Sequence, residues 1–191
     1  MPIIIFFIVH WYASLFFQTF FHHRYAAHRM FTMSKFWERV FHFSSFVFQG
    51  SSYLSPSAYG ILHRLHHQHA DTEEDPHSPK YDKNIMSMMW RTKVLYSSIL
   101  KGKTKVADHL KRNLPGWTKF DLVADHVAVR LLWVAAYLAF YIYFDAAWWM
   151  YLTLFPIQVV MGPFHGVVIN WFAHKYGYEN FKTKDTSKNL L

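Results

Sequence analysis

The sequence predicts an all-α integral membrane protein, in which transmembrane helices and one re-entrant or interfacial helix carry a histidine-rich cap on the cytoplasmic side. Hydrophobic residues make up 52% of the 191 residues and charged residues only 17%, a larger apolar share than a soluble domain of this size needs to bury. Long apolar runs are separated by stretches rich in Lys and Arg. The chain also has 14 histidines, several of them closely spaced, and no cysteine.

The net charge of +8 does not indicate a nucleic-acid partner. A nucleic-acid groove interleaves basic side chains with stacking aromatic ones. Here the aromatic residues lie inside the apolar runs and the lysines lie outside them. We therefore interpret the charge as the cytoplasmic flank of a membrane protein. The absence of cysteine excludes disulfides and iron–sulfur ligation.

Three apolar runs are predicted to cross the bilayer, near residues 2–21, 127–144 and 147–169. The first contains no Asp, Glu, Lys or Arg, and a helix of about twenty apolar residues crosses a hydrocarbon core of ~30 Å. A signal peptide is disfavoured, because no basic segment precedes the run and no small-residue cleavage site follows it. The other two runs are separated by Asp145 without Lys or Arg at the tip, as expected for an outside loop.

The run over residues 40–62 is predicted not to cross. It is apolar and aromatic but carries His42, Gln49, a Gly-Ser-Ser step and Pro56. If the histidines that flank it meet at one site, both of its ends lie on the same face of the membrane, as in a re-entrant or interfacial element. The following residues, 63–121, are rich in Lys and Arg, so the positive-inside rule places them in the cytoplasm.

The motif HRLHHQH at 63–69 has the spacing of a metal site. On a helix, His63, His66 and His67 stand at i, i+3 and i+4 and share one face. Neutral imidazoles, with four carboxylates downstream at 71, 73, 74 and 75, suit iron, zinc or copper better than magnesium or calcium. One such motif alone fits a solvated histidine-rich turn equally well. Two further groups favour the metal site.

These groups are HRYAAHR at 23–29 and the pair Asn170 and His174. Five residues span roughly 140° around an α-helix, so a regular helix would not direct His23 and His28 to one ion. We therefore expect this pair to serve opposite sides of a two-metal site. Asn170 and His174 are four residues apart and share one helix face.

Together, HRYAAHR at 23–29, HRLHHQHADTEEDPHSP at 63–79 and NWFAHKYGY at 170–178 resemble the membrane-bound fatty acyl desaturases, in particular the Δ9-type acyl-CoA or acyl-lipid desaturases. The resemblance implies that residues 1–191 form a single desaturase domain with a di-iron cap. Its implied reaction is oxygen-dependent desaturation of a long-chain fatty acyl substrate, which introduces a cis double bond. Carried over by position, the iron ligands are His23, His28, His63, His66, His67 and His174, with Asn170 holding a metal-bound water.

The resemblance also implies two iron ions, dioxygen and an external electron donor. No flavin or haem motif is present, so a cytochrome b5, a ferredoxin or a similar protein would supply electrons. CoA, acyl carrier protein and lipid remain open as acyl carriers. A related di-iron hydroxylase or ketolase, a membrane haem protein and a non-catalytic metal-binding membrane protein are the alternatives.

Two features depart from the family pattern. His22, His69 and His77 lie inside the motifs but not at ligand positions. The last histidine box of the family, another HxxHH, is missing, and no histidine follows His174. The sequence is therefore expected to be a C-terminally incomplete desaturase that binds iron weakly and is inactive alone.

Overall fold

The prediction of an all-α protein is confirmed. A computed structural model describes residues 1–180 and 188–189, and the remaining end of the predicted domain lies outside these residues. Apart from one bridge between Tyr178 and Asn189, the regular elements of the described part are helical. They are α1 (Pro2–Phe17), a π-helical segment (Gln18–Ala27), α2 (Lys35–Gln49), a 3-10 turn (Gly50–Ser52), α3 (Pro56–His69), α4 (Ile85–Leu100), α5 (Asp108–Lys111), α6 (Thr118–Ala124), α7 (Val127–Tyr143), α8 (Trp148–Leu152), α9 (Leu154–Val159), α10 (Met161–Val167), a second π-helical segment (Val168–Phe172) and α11 (Ala173–Lys175).

One helix in the described part is long and apolar enough to cross a membrane. It is α1 with its π-helical continuation, 26 residues from Pro2 to Ala27. The pair α6 and α7 passes the same criterion only together, and it bends by 55° at the break between them. Ile4, Ile5 and Ile8 on α1 are exposed on the protein surface, where lipid would cover them. The predicted crossings therefore remain predictions.

The run over 147–169 is not one continuous helix. The backbone leaves helical geometry at Thr153, with φ −112° and ψ −65°, and at Val160, with φ −111° and ψ 28°. Pro156 and Pro163 follow these positions by three residues. Because proline has no N–H, each one removes the hydrogen bond to the carbonyl four residues earlier. The run is consequently divided among α8, α9, α10 and the second π-helical segment.

The carbonyl that Pro163 leaves without its helical partner is that of Val159. It accepts hydrogen bonds from Ser51 Oγ at 2.8 Å and from Ser52 Oγ at 3.1 Å. These serines form the turn that joins α2, which packs against α1, to α3, which packs against the π-helical segment. We call the two helices and their turn the hairpin. The break in the third apolar run thus provides the acceptor for the tip of the hairpin.

Arg130 holds the same tip from α7. Its guanidinium donates to the carbonyls of Ser51 at 2.6 Å and Tyr53 at 2.7 Å, and it pairs with the Asp125 carboxylate at 2.5 Å. The side chain is therefore held by contacts within the protein. The tip of the hairpin is fixed between α7 and α9.

A buried polar cluster fastens the hairpin to α6. The carboxylate of Asp121 accepts from Tyr53 Oη and Ser55 Oγ, both at 2.7 Å, and lies 2.6 Å from His42 Nε2. All four side chains are buried. Buried polar groups need hydrogen-bond partners, and these four side chains satisfy one another. Their hydrogen bonds therefore fix the relative positions of α2, the start of α3 and α6.

Gly50→Ala is expected to destabilise the protein by roughly 2–4 kcal/mol. Gly50 has a φ of +52°, and a Cβ there would collide with the Tyr137 hydroxyl. Thermal unfolding in detergent measures the loss. Gly102→Ala is the matched control, because Gly102 has a φ of +65° but nothing within 4 Å of a Cβ. If the two substitutions lowered the stability equally, the contact of the new Cβ with Tyr137 would not be the cause of the destabilisation.

Candidate metal centre

The first two histidine motifs meet because α3 packs closely against the π-helical segment. Gly60 permits this approach, since a Cβ there would lie 3.3 Å from the carbonyl oxygen of Ala26 and 2.7 Å from the Leu114 side chain. The packing places His23 and His28 beside the histidine face of α3. Residues about 35 positions apart in the chain thereby share one site.

The expectation that His23 and His28 serve opposite sides of the site is wrong. Their Nε2 atoms lie 3.2 Å apart. The sequence prediction assumed an α-helix, whereas this segment is π-helical, and the His28 N–H donates to the His23 carbonyl at 3.0 Å. In a π-helix the hydrogen bond spans five residues, so a spacing of five brings side chains one turn apart on the same face.

Four imidazoles converge at one point. His63 Nε2 lies 3.0 Å from His28 Nε2 and 3.0 Å from His67 Nε2, and the rings of His23 and His63 are centred 4.6 Å apart. Metal–nitrogen bonds of about 2.1 Å place neighbouring ligand nitrogens about 3.0–3.4 Å apart. The ligand atoms of His23, His28 and His63 all lie within 4.8 Å of one another, which fits a single metal ion, and His67 adjoins them through His63. We call these four residues the four-imidazole cluster.

The surroundings keep these imidazoles in the form that binds metal. Burial lowers the pKa of His63, and the neighbouring imidazoles of His23 and His67 lower it further. Burial also lowers the pKa of His28, and the Arg64 guanidinium adds to this effect. Both side chains are thus neutral at pH 7, with a nitrogen lone pair available for a metal.

The metal-free protein is expected to lose stability as the pH falls below about 6.5, the pKa of an unfolded histidine. Because the pKa of His63 is lowered by folding, the unfolded state binds more protons in acid, and acid favours unfolding. The contribution of His63 is complete above pH ~6.5 and is lost progressively as the pH falls toward its folded pKa. Thermal unfolding after chelation, at several pH values, measures the slope. His63→Gln should flatten it, and an unchanged slope would contradict the assignment.

His66, on the same helix, pairs with Asp75, which orients its ring. Its Nδ1 lies 2.9 and 3.0 Å from the two carboxylate oxygens. A carboxylate only accepts, so Nδ1 carries the proton and Nε2 keeps the lone pair. Burial alone would raise the pKa of Asp75, but hydrogen bonds from His66 and from the His77 N–H lower it. This is the carboxylate–histidine arrangement that supports metal ligands.

The structure also brings His174 to this site. Its ring is centred 5.9 Å from that of His66, and His66 is in turn 5.4 Å from the ring of His67. All six predicted histidines therefore lie in one connected group. Asn170, on the second π-helical segment, is half-buried but makes no hydrogen bond to these imidazoles in the described part of the chain.

Arg64 is a site residue that the sequence interpretation missed. Its guanidinium donates to the carbonyls of Ala27 at 2.8 Å and Ala26 at 2.9 Å, which end the π-helical segment. It also donates to Leu110 at 2.9 Å and Arg112 at 2.8 Å. The residue therefore fixes the first histidine motif against the second, and its place directly after His63 was the available signal.

Comparison with protein families identifies the family of the chain. A family model described as fatty acid desaturase matches residues 1–190. The chain belongs to the fatty acid desaturase family. The resemblance inferred from the three histidine motifs is thus confirmed.

The curated relatives of this desaturase chain include plant Δ9 enzymes. The Delta-9 desaturase-like 5 protein of Arabidopsis thaliana is 30% identical over 174 residues, covering 90% of this chain and 54% of the relative. The Delta-9 acyl-lipid desaturase 1 of the same plant is 30% identical over 174 residues, covering 88% of this chain and 52% of the relative. The chain spans about half the length of the curated relatives it matches. No solved structure matches it.

Proposed function

We propose that the protein carries out oxygen-dependent desaturation of a long-chain fatty acyl substrate at a histidine-ligated di-iron centre, forming a cis double bond. The observation that carries the proposal is the convergence of four imidazole Nε2 atoms beside a second group of imidazoles. Family membership supports the same reaction class. The relative named an acyl-lipid desaturase supports an acyl substrate.

The donor set fits iron. All the converging atoms are imidazole nitrogens, and two buried ones, Nδ1 of His77 and Nδ1 of His174, have no hydrogen-bond partner in the described part of the chain. Imidazole suits iron, zinc and copper. Two iron ions held here would supply the reduction of dioxygen and the oxidising power needed to remove hydrogen from an unactivated methylene group.

The residues of the chain hold these ligands in place. Asp75 fixes the tautomer of His66 by accepting the proton of Nδ1. Arg64 holds the end of the π-helical segment, which carries His23 and leads to His28. Tyr59 packs parallel to the His63 ring, with an interplanar angle of 8°. These contacts limit the rotation of the imidazole rings and hold the rings in fixed positions relative to one another.

The proposed setting is a multi-pass membrane protein whose metal centre faces the cytoplasm. The four-imidazole cluster includes His23, near the end of the apolar helix Pro2–Ala27, so an acyl chain in the bilayer would have a short path to it. The acyl carrier is CoA, acyl carrier protein or a lipid. Electrons come from a cytochrome b5, a ferredoxin or a similar donor, and the exposed Lys101, Lys103 and Lys105 provide a basic surface for an acidic one.

Expression of the gene, with any coding sequence that continues beyond residue 191, in a host without this activity tests the proposal. Fatty acid methyl esters analysed by gas chromatography and mass spectrometry should contain a new monounsaturated species. The His63→Ala variant is the matched inactive control. Hydroxylated or ketone products would assign the protein to another reaction of the same metal chemistry. No new product despite folded, iron-loaded protein would contradict the proposal.

A further inference from the structure

A set of buried polar side chains lies between α1 and α10, outside the histidine motifs. Trp11, Ser14 and Gln18 share one face of α1 and its continuation, because they stand at i, i+3 and i+7. The ring of His165 on α10 contacts Trp11 edge to face, with centroids 4.6 Å apart. A Cβ on Gly162 would lie 3.2 Å from Gln18 Nε2. Ser14 therefore faces the stretch of α10 between Gly162 and His165.

Several polar atoms of this set have no hydrogen-bond partner in the described part of the chain. They are Ser14 Oγ, Gln18 Nε2 and both ring nitrogens of His165. Ser14 is 0% exposed and His165 is 4% exposed, so these atoms lie beneath the protein surface. A buried donor or acceptor without a partner is unfavourable. Atoms of this kind on two facing helices therefore indicate a common ligand in the interior.

Neighbouring polar groups on α1 and its continuation differ, because they have partners within the protein. One turn before Ser14, His10 accepts from Gln158 Nε2 at 3.2 Å. Thr19 donates to the carbonyl of Leu15 in its own helix, a common bond for a hydroxyl on a helix. Ser14 makes no such bond, so its hydroxyl is available to a ligand.

The chemistry of the unpartnered atoms selects a small neutral ligand. The set contains a hydroxyl, an amide and one imidazole, so no side chain would balance the charge of an ion in this apolar setting. A single imidazole also makes a poor transition-metal site. An apolar chain would leave every one of these polar atoms unpaired. Water satisfies them, because it both donates and accepts and makes about three hydrogen bonds to buried polar groups.

We propose that the interior between α1 and α10 holds ordered water molecules, bound by Ser14, Gln18 and His165. We call these residues and their water the hydrated site. The two nitrogens of a neutral imidazole, one a donor and the other an acceptor, point in different directions, so more than one water is needed. The carbonyl oxygen of Ser52 borders the same place, since a Cβ on Gly162 would lie 3.1 Å from it. Water binding here does not depend on the reaction.

Two kinds of hydroxyl-radical footprinting test the hydrated site in the purified protein in nanodiscs. X-ray radiolysis makes radicals from internal water as well as bulk water, whereas laser photolysis of peroxide makes them in bulk solvent. Met161 stands beside Gly162 and is 0% exposed. Radiolysis should oxidise it at least ~10-fold faster than Met88, which is also 0% exposed, and photolysis should leave both unmodified. Met86 is 76% exposed and should react in both experiments.

Substitution of the polar side chains should remove the water. Ser14→Ala combined with His165→Leu takes polar atoms from both helices, and the radiolytic oxidation of Met161 should fall close to that of Met88. Thr19→Ala is the matched control, because Thr19 bonds its own helix, and it should keep the rate of the unaltered protein. If thermal unfolding shows that the double variant is not folded, Ser14→Ala alone takes its place, with at least a ~2-fold decrease expected.

Three results would overturn the hydrated site. Radiolytic oxidation of Met161 as slow as that of Met88 would show that no water lies beside it. Oxidation of Met161 by photolysis would show that the place is open to bulk solvent. An unchanged rate at Met161 in the folded variant would show that Ser14 and His165 do not bind the water.

Discussion

His63→Ala is expected to remove the metal ion of the four-imidazole cluster and, with it, the proposed desaturation. His63 is the centre of that cluster, because its Nε2 lies 3.0 Å from both His28 and His67. Even the partners that only orient ligands alter metal affinity by about 10–100-fold, so removal of a ligand should weaken binding by more than ~100-fold. Co²⁺ titration of the purified variant measures this loss directly.

His109→Ala is the matched control for this experiment. His109 is exposed and contacts Gln68 at 3.4 Å rather than the cluster. It should bind Co²⁺ as the unaltered protein does. Metal-free thermal unfolding of His63→Ala separates loss of the ligand from loss of the fold. Undiminished Co²⁺ affinity in folded His63→Ala would exclude the four-imidazole cluster as a metal site.

Asp75→Asn is expected to reduce affinity for the metal ion that His66 would bind by about 10–100-fold and to destabilise the fold by about 2–3 kcal/mol. The Asp75 side chain is 0% exposed, and its two oxygens accept three N–H groups, from His66, Asp71 and His77. An asparagine replaces one oxygen with an amide that donates, so at least one of these groups loses its acceptor. Co²⁺ titration and thermal unfolding report the two effects separately.

Glu74→Gln is the appropriate comparison, since it makes the same change one residue earlier. The Glu74 side chain is 74% exposed and pairs with His69, and exposed pairs of this kind contribute about 0–1 kcal/mol. Its metal binding and stability should be close to those of the unaltered protein. If Asp75→Asn behaved as Glu74→Gln does, the orienting role of Asp75 would be wrong.

The helical histidine motif was predictable from the sequence. His63, His66 and His67 lie on one helix, α3, and His63 and His67 point to the same cluster as their spacing indicates. His66 turns toward Asp75 and His174 instead. The residues that contact the motif histidines come from other parts of the chain. The spacing of histidines along one helix carries no information about these contacts.

The π-helical segment was not predictable from hydrophobic periodicity. Its apolar residues continue the pattern of α1, and π-helices are rare. The distinctive signal was the spacing of His23 and His28, which an α-helix does not bring together. A π-helical segment, rather than an α-helix with the two imidazoles on opposite sides, therefore accounts for the geometry of the site.

The broken third run and the approach of His77 to His66 were missed for different reasons. Pro156 and Pro163 are visible in the sequence, but apolar runs with proline also form continuous membrane helices when neighbours satisfy the freed carbonyls. His77 follows a proline in an acidic turn, where no periodic pattern assigns a direction to its ring. Its approach to His66 depends on Asp75, which binds the His66 ring and the backbone N–H of His77.

The bond between the hairpin turn and Val159 has a consequence for the order in which the protein assembles during synthesis. Ser51 is made 108 residues before its acceptor on Val159, which at about 5–20 residues per second corresponds to roughly 5–20 seconds on the ribosome. Arg130 follows Ser51 by 79 residues and so arrives first. The nascent hairpin would therefore be held by α7 before α9 closes over it.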